Sequence, residues 1–283
     1  SVQVEVIKNI DCVIFLAEIV GDPSCHAKPE DALKTNYLAV SSMANLCSHM
    51  NINRFIYTSS CSVYGSNEKS NDLLKEDSVL NPISHYARIK TMSEKALFSQ
   101  SNVLFSPTIL RLATVCGPSP RHRFDLVVNT FARNAFFDKE INVHGGDQSR
   151  PNVHVDDVAK GHIQAFNKGK LGERYILGGE NLTFKEILEM ISNLCGHNPP
   201  KIQLPKKPLY PIGYLFEIFA RLFNLKNPML TVDMIRMAEK KMFFSSEKAK
   251  KELNYKYKSA KIALKDAIQW FIDNGYCRNT HLV

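Results

Sequence analysis

No Cys-x-x-Cys pair occurs among the seven cysteines, Cys12, Cys25, Cys47, Cys61, Cys116, Cys195 and Cys277. A scattered, odd-numbered set is the pattern of reduced thiols in a reducing compartment, not of a disulfide or zinc framework, so a cytoplasmic setting is expected. No run reaches the roughly 18 apolar residues that a membrane span needs. The opening Ser1-Val2-Gln3-Val4-Glu5 lacks the basic stretch and apolar run of a secretory signal, and the absence of an initiator Met there points to an incomplete or processed chain. Internal repeats, low-complexity segments, zinc-finger spacings and basic-aromatic nucleic-acid motifs are also missing, so neither nucleic acid nor a metal is an expected partner. What is present is ordinary for a globular protein: 283 residues, 44% hydrophobic and 23% charged, with 13 Gly and 13 Pro. That length carries a core large enough for one big domain, or for a domain with a second lobe.

The net charge of +8 is unevenly placed. Residues 1–159 carry 15 Lys+Arg against 17 Asp+Glu, whereas residues 160–283 carry 21 against 11. A basic second half suits an anionic substrate or surface, or is simply a solvated lysine-rich face.

Asp11 to Ala17 is a short apolar run ending in small residues, as buried parallel strands do. Asp31 to His49 has helical spacing, Arg54 to Ser59 reads as a strand, Ser84 to Ser99 as a helix, and Val103 to Leu112 as a strand with Pro107 near its start. This alternation predicts a parallel α/β sheet with helices on its faces. Beyond Gly117-Pro118 the rhythm changes. A helix over 124–137, a strand and turn over 141–146, a helix over 153–166, a strand at 175–177 and a helix from Thr183 to Cys195 are predicted. The last has Thr183 and Glu186 spaced as a capping box. Leu209 to Phe223 is nearly all apolar, broken only by Glu217 and Arg221. A buried packing helix is the expected reading, with a lid over an apolar cleft or a helix lying on a membrane surface as alternatives.

Tyr86-Ala-Arg-Ile-Lys90 sits on a predicted helix, where a spacing of four places phenol and ammonium on one face. A tyrosine is a poor base near neutral pH, and a nearby cation favours its phenolate. The pair gains weight from Ser60, 26 residues earlier, where a predicted strand runs out and sheet enzymes place reactive groups.

Phe55-Ile-Tyr-Thr-Ser-Ser-Cys-Ser-Val-Tyr-Gly65 followed by Tyr86-x-x-x-Lys90 resembles the extended short-chain dehydrogenase/reductase family, in its nucleotide-sugar epimerase and dehydratase branch. Asp11 to Ala17 is similar to the family's fourth strand, Asn36 to its helix asparagine, Arg111 to Pro118 to the segment after its sixth strand, and Gly145 to Asp157 to the stretch whose arginine holds substrate phosphates. The resemblance implies a Rossmann-type doubly wound parallel sheet, N-terminally incomplete, over 1–118. A smaller, mostly helical substrate lobe would follow over 119–283, with 151–178 returning to the first domain. It implies NAD as cofactor, with NADP left open, near Leu16, Ala17, Asn36, Ser59, Tyr86 and Lys90. Ser60, Tyr86 and Lys90 would be catalytic; Ser62, Thr114, Asn129 and Arg150 would meet the substrate. The guanidinium of Arg150 suits phosphate oxygens. Cys61-Ser62 stands where the dehydratases carry an acid pair, which argues against elimination and for epimerisation or reduction. Cys61 itself is expected to be a packed thiol, Asp156 and Asp157 to suit a helix start, and His154 to pack or hydrogen-bond.

The chain also departs from the family. The glycine-rich phosphate loop is absent, so weak binding of NAD by this chain is expected. Phe15 and Glu18 replace the usual His and Ala. The tail, with Gly172 to Asn181, Lys241 to Ser246 and Trp270 to Tyr276, resembles the hopanoid-associated sugar epimerase and dihydroflavonol-reductase-like branch instead. Three functions therefore stand open: an NAD-dependent epimerase of a nucleotide-linked sugar, a reductase of a ketone on a lipid or flavonoid-like substrate, and a non-catalytic cofactor- or sugar-nucleotide-binding remnant. Peripheral membrane contact through 209–223 stays open too. Apolar outer positions on helices 31–49 and 84–99 allow a homodimer without requiring it.

Overall fold

The computed structural model describes residues 5–65, 72–120, 149–196, 209–222 and 242–275. The helix expected over 124–137, the strand and turn over 141–146 and Asn129 lie outside them.

Strands β1 (Cys12–Phe15), β2 (Arg54–Ser60), β3 (Ser106–Leu112) and β6 (Arg174–Leu177) form one sheet in the order β1-β2-β3-β6. Every neighbouring pair is parallel, with Ile14 beside Ile56, Ile56 beside Thr108, and Leu110 beside Tyr175. Side chains alternate between the faces of a strand, and both faces here are apolar. Phe55, Tyr57 and Ile109 pack with Val40, Ala44 and Cys47 of helix α3 (Ala39–His49) and Leu97 of α4 (His85–Ser99). Ile56 and Leu110 pack on the other side with Val158 and Ala165 of α5 (Val155–Lys168) and with Ala249 and Leu253 of α8 (Glu247–Leu253). Helices on both faces of a parallel sheet make the doubly wound α/β architecture that the sequence predicts.

A second, three-stranded sheet is formed by β4 (Thr114–Cys116), β5 (Ser149–His154) and β7 (Glu180–Thr183), with β4 parallel and β7 antiparallel to β5. Its helical cover is α6 (Phe184–Leu194) and α9 (Ala260–Asp273), meeting through Ile187, Ile191, Leu264, Ile268 and Phe271. Thr183 and Glu186 close the expected capping box at the start of α6. At α5, the strand β5 occupies residues the sequence reading gave partly to the helix, which starts at Val155. His154 caps it by accepting the Asp156 N–H at 3.0 Å and reaches Asp266 at 3.1 Å, while the Asp157 carboxylate accepts the Lys258 N–H. These are the helix-start and hydrogen-bonding roles expected of the three residues.

Two elements differ from expectation for visible reasons. β3 starts at Ser106 because Asn102 and Phe105 close a tight turn just before it, with the Asn102 side chain accepting the Leu104 N–H. The helix expected at 31–49 begins at Pro29 (α2, Pro29–Leu33) and passes through a π-helical turn, Lys34–Leu38, before α3. In that turn the Asn36 carbonyl accepts the Ser93 hydroxyl at 2.6 Å, and Ala39 N–H reaches back five residues to Lys34. Such π turns are frequent at functional sites. Helix α7 (Leu209–Leu222) departs further. Leu209 and Ala220 are buried, but Leu215, Ile218, Phe219 and Leu222 are more than half exposed, so this is not the fully packed helix that its composition suggests.

Helix α4 is fixed to the sheet by a buried charge network. Arg111 of β3 closes on Glu94 with two bonds, Nε to Oε1 at 3.0 Å and Nη2 to Oε2 at 2.6 Å, and both side chains are almost wholly buried. Nη1 donates to the Tyr64 hydroxyl at 2.6 Å and to the Glu76 carbonyl at 3.0 Å. The Ser59 hydroxyl donates to Glu94 as well. Removing one partner of such a pair strands the other charge in a low-dielectric interior. Arg111→Met is therefore expected to cost about 3–5 kcal/mol, read as a fall in the urea unfolding free energy.

Candidate active site

β2 ends at Ser60, and the chain turns at once into a 3₁₀ helix, Cys61–Tyr64. Ser60 caps it, its Oγ accepting the Ser62 N–H at 3.2 Å, which leaves the hydroxyl proton available to donate. Gly65 ends the turn at φ 65°, where a Cβ would lie 1.9 Å from the Asn81 carbonyl oxygen. Only glycine fits both that backbone and that space. Cys61 is buried, donates to the Arg111 carbonyl at 3.5 Å, and has its thiol pushed well up by burial. It is the packed thiol that the sequence suggests.

Ser84 caps α4 by accepting the Ala87 N–H, which brings Tyr86 into the first turn and Lys90 one turn later on the same face. Lys90 is buried. Its ammonium donates to the Thr58 carbonyl and to the Glu18 carboxylate, and it lies over the rings of Tyr57 at 4.7 Å and Tyr86 at 5.7 Å. Burial favours the neutral form of each partner, drawing the ammonium down and the carboxyl up, while each charge opposes that drift in the other. Burial and the Glu18 carboxylate together push the Tyr57 phenol well up, so Tyr57 stays neutral.

The residues expected at the cofactor fall into two layers. Leu16 and Ala17 follow β1 and are exposed, while Glu18, next in the chain, turns inward to Lys90. Asn36 and Ser59 lie behind them and are buried. Both ends of the Asn36 amide are used on the backbone of one residue: Oδ1 accepts the Ile19 N–H at 2.8 Å and Nδ2 donates to the Ile19 carbonyl at 2.7 Å. Asn36 thereby fixes the turn that carries Glu18. An apolar shelf beside a buried ammonium, phenol and serine hydroxyl has the chemistry to hold the nicotinamide riboside half of NAD.

Of the residues expected at the substrate, Ser62 has its Oγ buried with no hydrogen-bond partner among the described residues, an unused polar atom two residues beyond Ser60. Thr114 opens β4, half-buried. Arg150 lies in β5 with its backbone paired to Leu182. The sequence reading missed Glu94, although 86, 90 and 94 share one helix face at a spacing of four. Glu18 could be seen in the sequence only as an odd acid at a strand end, because its partner lies 72 residues away.

The NAD dependent epimerase/dehydratase family matches residues 2–178. The putative dihydroflavonol 4-reductase of Synechocystis sp. is 26% identical, over 93% of this chain and 77% of its own length. Sterol demethylase protein B of Methylococcus capsulatus is 28% identical, over 79% of this chain and 68% of its own length. Among solved structures, the UDP-glucuronic acid 4-epimerase from Bacillus cereus in complex with UDP-glucuronic acid and NAD has a TM-score of 0.76 at 23% identity, covering 97% of this chain and 79% of that one. At that identity the likeness is one of fold.

Thr58 ties this site to the opposite face of the sheet. Its hydroxyl meets His162 Nε2 at 2.8 Å, while His162 Nδ1 donates to the Val158 carbonyl at 2.8 Å. Burial lowers the His162 pKa in the folded protein. The unfolded chain then binds more protons near its own His pKa, about 6.5, so the stability from a neutral His162 is complete above that pH and is lost as pH falls through and below it. Thermal unfolding between pH 7 and pH 5 should show this decline, and His162→Gln should flatten it.

Proposed function

This chain belongs to the extended short-chain dehydrogenase/reductase family, in its NAD-dependent epimerase/dehydratase branch, and we propose that it epimerises a nucleotide-linked sugar through a transient ketone. It is an NAD-dependent enzyme at the level of that family. The observation that supports the reading is the placement of three groups: Ser60 at the end of β2, and Tyr86 and Lys90 on one face of α4, with Lys90 anchored on the carbonyl of Thr58 two residues before Ser60. In the division we propose, 1–118 with 151–178 forms the cofactor half and the rest of 119–283 the substrate half.

In this scheme Tyr86 takes the proton of the reacting sugar hydroxyl and later returns it. Ser60 donates a hydrogen bond to the same oxygen, steadying it as its charge changes. Lys90 favours the Tyr86 phenolate and would hold the nicotinamide ribose together with Leu16 and Ala17. Bound NAD supplies a reversible two-electron oxidation of the sugar carbon. Ser62, whose hydroxyl has no partner among the described residues, and Thr114 would meet the sugar, and Arg150 and Asn129 its phosphates. Cys61-Ser62 offers no carboxylic acid directly after Ser60, and burial keeps the Cys61 thiol protonated, which argues against water elimination and for epimerisation or reduction.

A second reading is favoured by helix α7. Its exposed Leu215, Phe216 and Phe219 suit a lipid or flavonoid-like ketone better than a sugar diphosphate, and the names of two relatives point the same way.

Calorimetry with NAD, followed by a panel of nucleotide sugars, tests the proposal. Interconversion of C4 epimers without net NADH production is the expected result. Net oxidation of NAD(P)H with a ketone would establish the second reading instead. Tyr86→Phe is expected to lower kcat by about 10²–10⁴-fold while leaving NAD binding and the unfolding temperature near those of the wild type.

A further inference from the structure

The acid at position 18 is unexpected beside a dinucleotide, and the structure shows it buried against the lysine of the catalytic set. We propose that Glu18 is a positioning residue: it is the counter-ion that keeps Lys90 an ammonium, pointed at Tyr86, inside a site where that charge is shielded from water.

Geometry carries the argument. The side chains of Lys90 and Glu18 are only 1% and 4% exposed, and they are in direct contact. Every element packed around this ammonium contributes a group that bears on it. β2 presents the Thr58 carbonyl and the neutral Tyr57 phenol. α4 presents Tyr86 and, one turn beyond Lys90, Glu94. Helix α1 (Asp22–Ala27) presents Cys25. Two carboxylates bear on the ammonium, Glu18 and Glu94, but they are not equivalent. Glu94 is held by both arms of the Arg111 fork and by Ser59, so its charge is already answered. Glu18 makes its ion pair with Lys90. Its loop is fixed in turn by the two bonds between Asn36 and Ile19, which set the carboxylate where the ammonium needs it.

The consequence follows from the cost of a lone buried cation. An ammonium moved into a poorly hydrated site tends to shed its proton unless an opposite charge accompanies it. A neutral lysine gives no support to a phenolate. Removing the Glu18 charge should therefore make Tyr86 harder to ionise, although Glu18 never meets the sugar. Had Glu18 merely screened Lys90, removing it would do the opposite and ease the ionisation of Tyr86.

This inference rests on the reading of Tyr86 as the proton-moving group, but its first test does not require turnover. The ionisation of Tyr86 is read from tyrosinate absorbance as the difference between each protein and the same protein carrying Tyr86→Phe. In Glu18→Gln, which keeps the shape and loses the charge, the midpoint is expected to rise by about one pH unit. Glu18→Asp should restore part of that shift. In a Lys90→Met background, Glu18→Gln should leave the midpoint unmoved. The acid limb of the kcat/KM profile should follow the same pattern wherever a substrate is found. An unchanged or lowered midpoint in Glu18→Gln, or an equal rise with and without Lys90, would overturn the proposal. Circular dichroism and unfolding temperature identify a variant that has failed to fold, and in that event the Glu18→Asp midpoint decides: a rise above the wild type, from a carboxylate one methylene shorter, supports the counter-ion role, and an unchanged or lowered midpoint defeats it. If Tyr86→Phe retains full turnover while the midpoints move as expected, the function is misread and the counter-ion role stands.

Discussion

Two strands grip one buried carboxylate, and the corner proposed as the active site is built on that grip. Glu94 receives the Arg111 fork from β3 and the Ser59 hydroxyl from β2. The strands are themselves in parallel register, with Ser59 beside Arg111. Helix α4 therefore cannot slide along the sheet without stranding a charge. One helical turn before Glu94 stands Lys90, and one turn before that Tyr86. Fixing Glu94 thus fixes the height of the whole Tyr-Lys face above the end of β2, where Ser60 waits. A guanidinium is suited to this task because its planar fork resists rotation.

The site is organised as a row of reactive groups with a braced layer behind. In the proposed site, Ser60, Tyr86 and Lys90 form the row. Behind them, Asn36 bonds the N–H and carbonyl of Ile19 with the two ends of its amide and also donates to the Cys25 sulfur, and Ser93 holds the carbonyl of that same Asn36. The π turn, Lys34–Leu38, holds this asparagine where the helix is wound one residue wider, with its side chain and its carbonyl both committed to neighbouring elements. Sequence, local geometry and chemistry meet in a single asparagine.

The main sheet was legible because parallel strands buried on both faces are rich in apolar residues, as Phe55-Ile-Tyr57 and Ile109-Leu110 are, even though Thr108 and Arg111 interrupt the second. Tyr86 and Lys90 were legible because one helical turn is a local relation. β5 was not, since Ser149-Arg-Pro-Asn-Val-His154 carries a proline and too few apolar residues to announce a strand; its partners β4 and β7 supply the pairing. The exposure of α7 could not be read either, because an apolar helix is written the same way whether covered or bare. Glu18 shows the hardest case. Its character as an anomaly was visible, but its meaning lies in a contact across 72 residues.

The buried thiols have a practical consequence. Cys25, Cys47, Cys61 and Cys116 are sealed in the folded chain, and burial raises the Cys47 thiol to about 11 and the Cys116 thiol to about 12. A thiol so protonated and enclosed reacts with an alkylating reagent only when its surroundings open. Cys47 reports from the face covered by α3, and Cys116 from the small second sheet. The native chain therefore carries its own reporters, able to time the opening of its two sheets separately without any added label site.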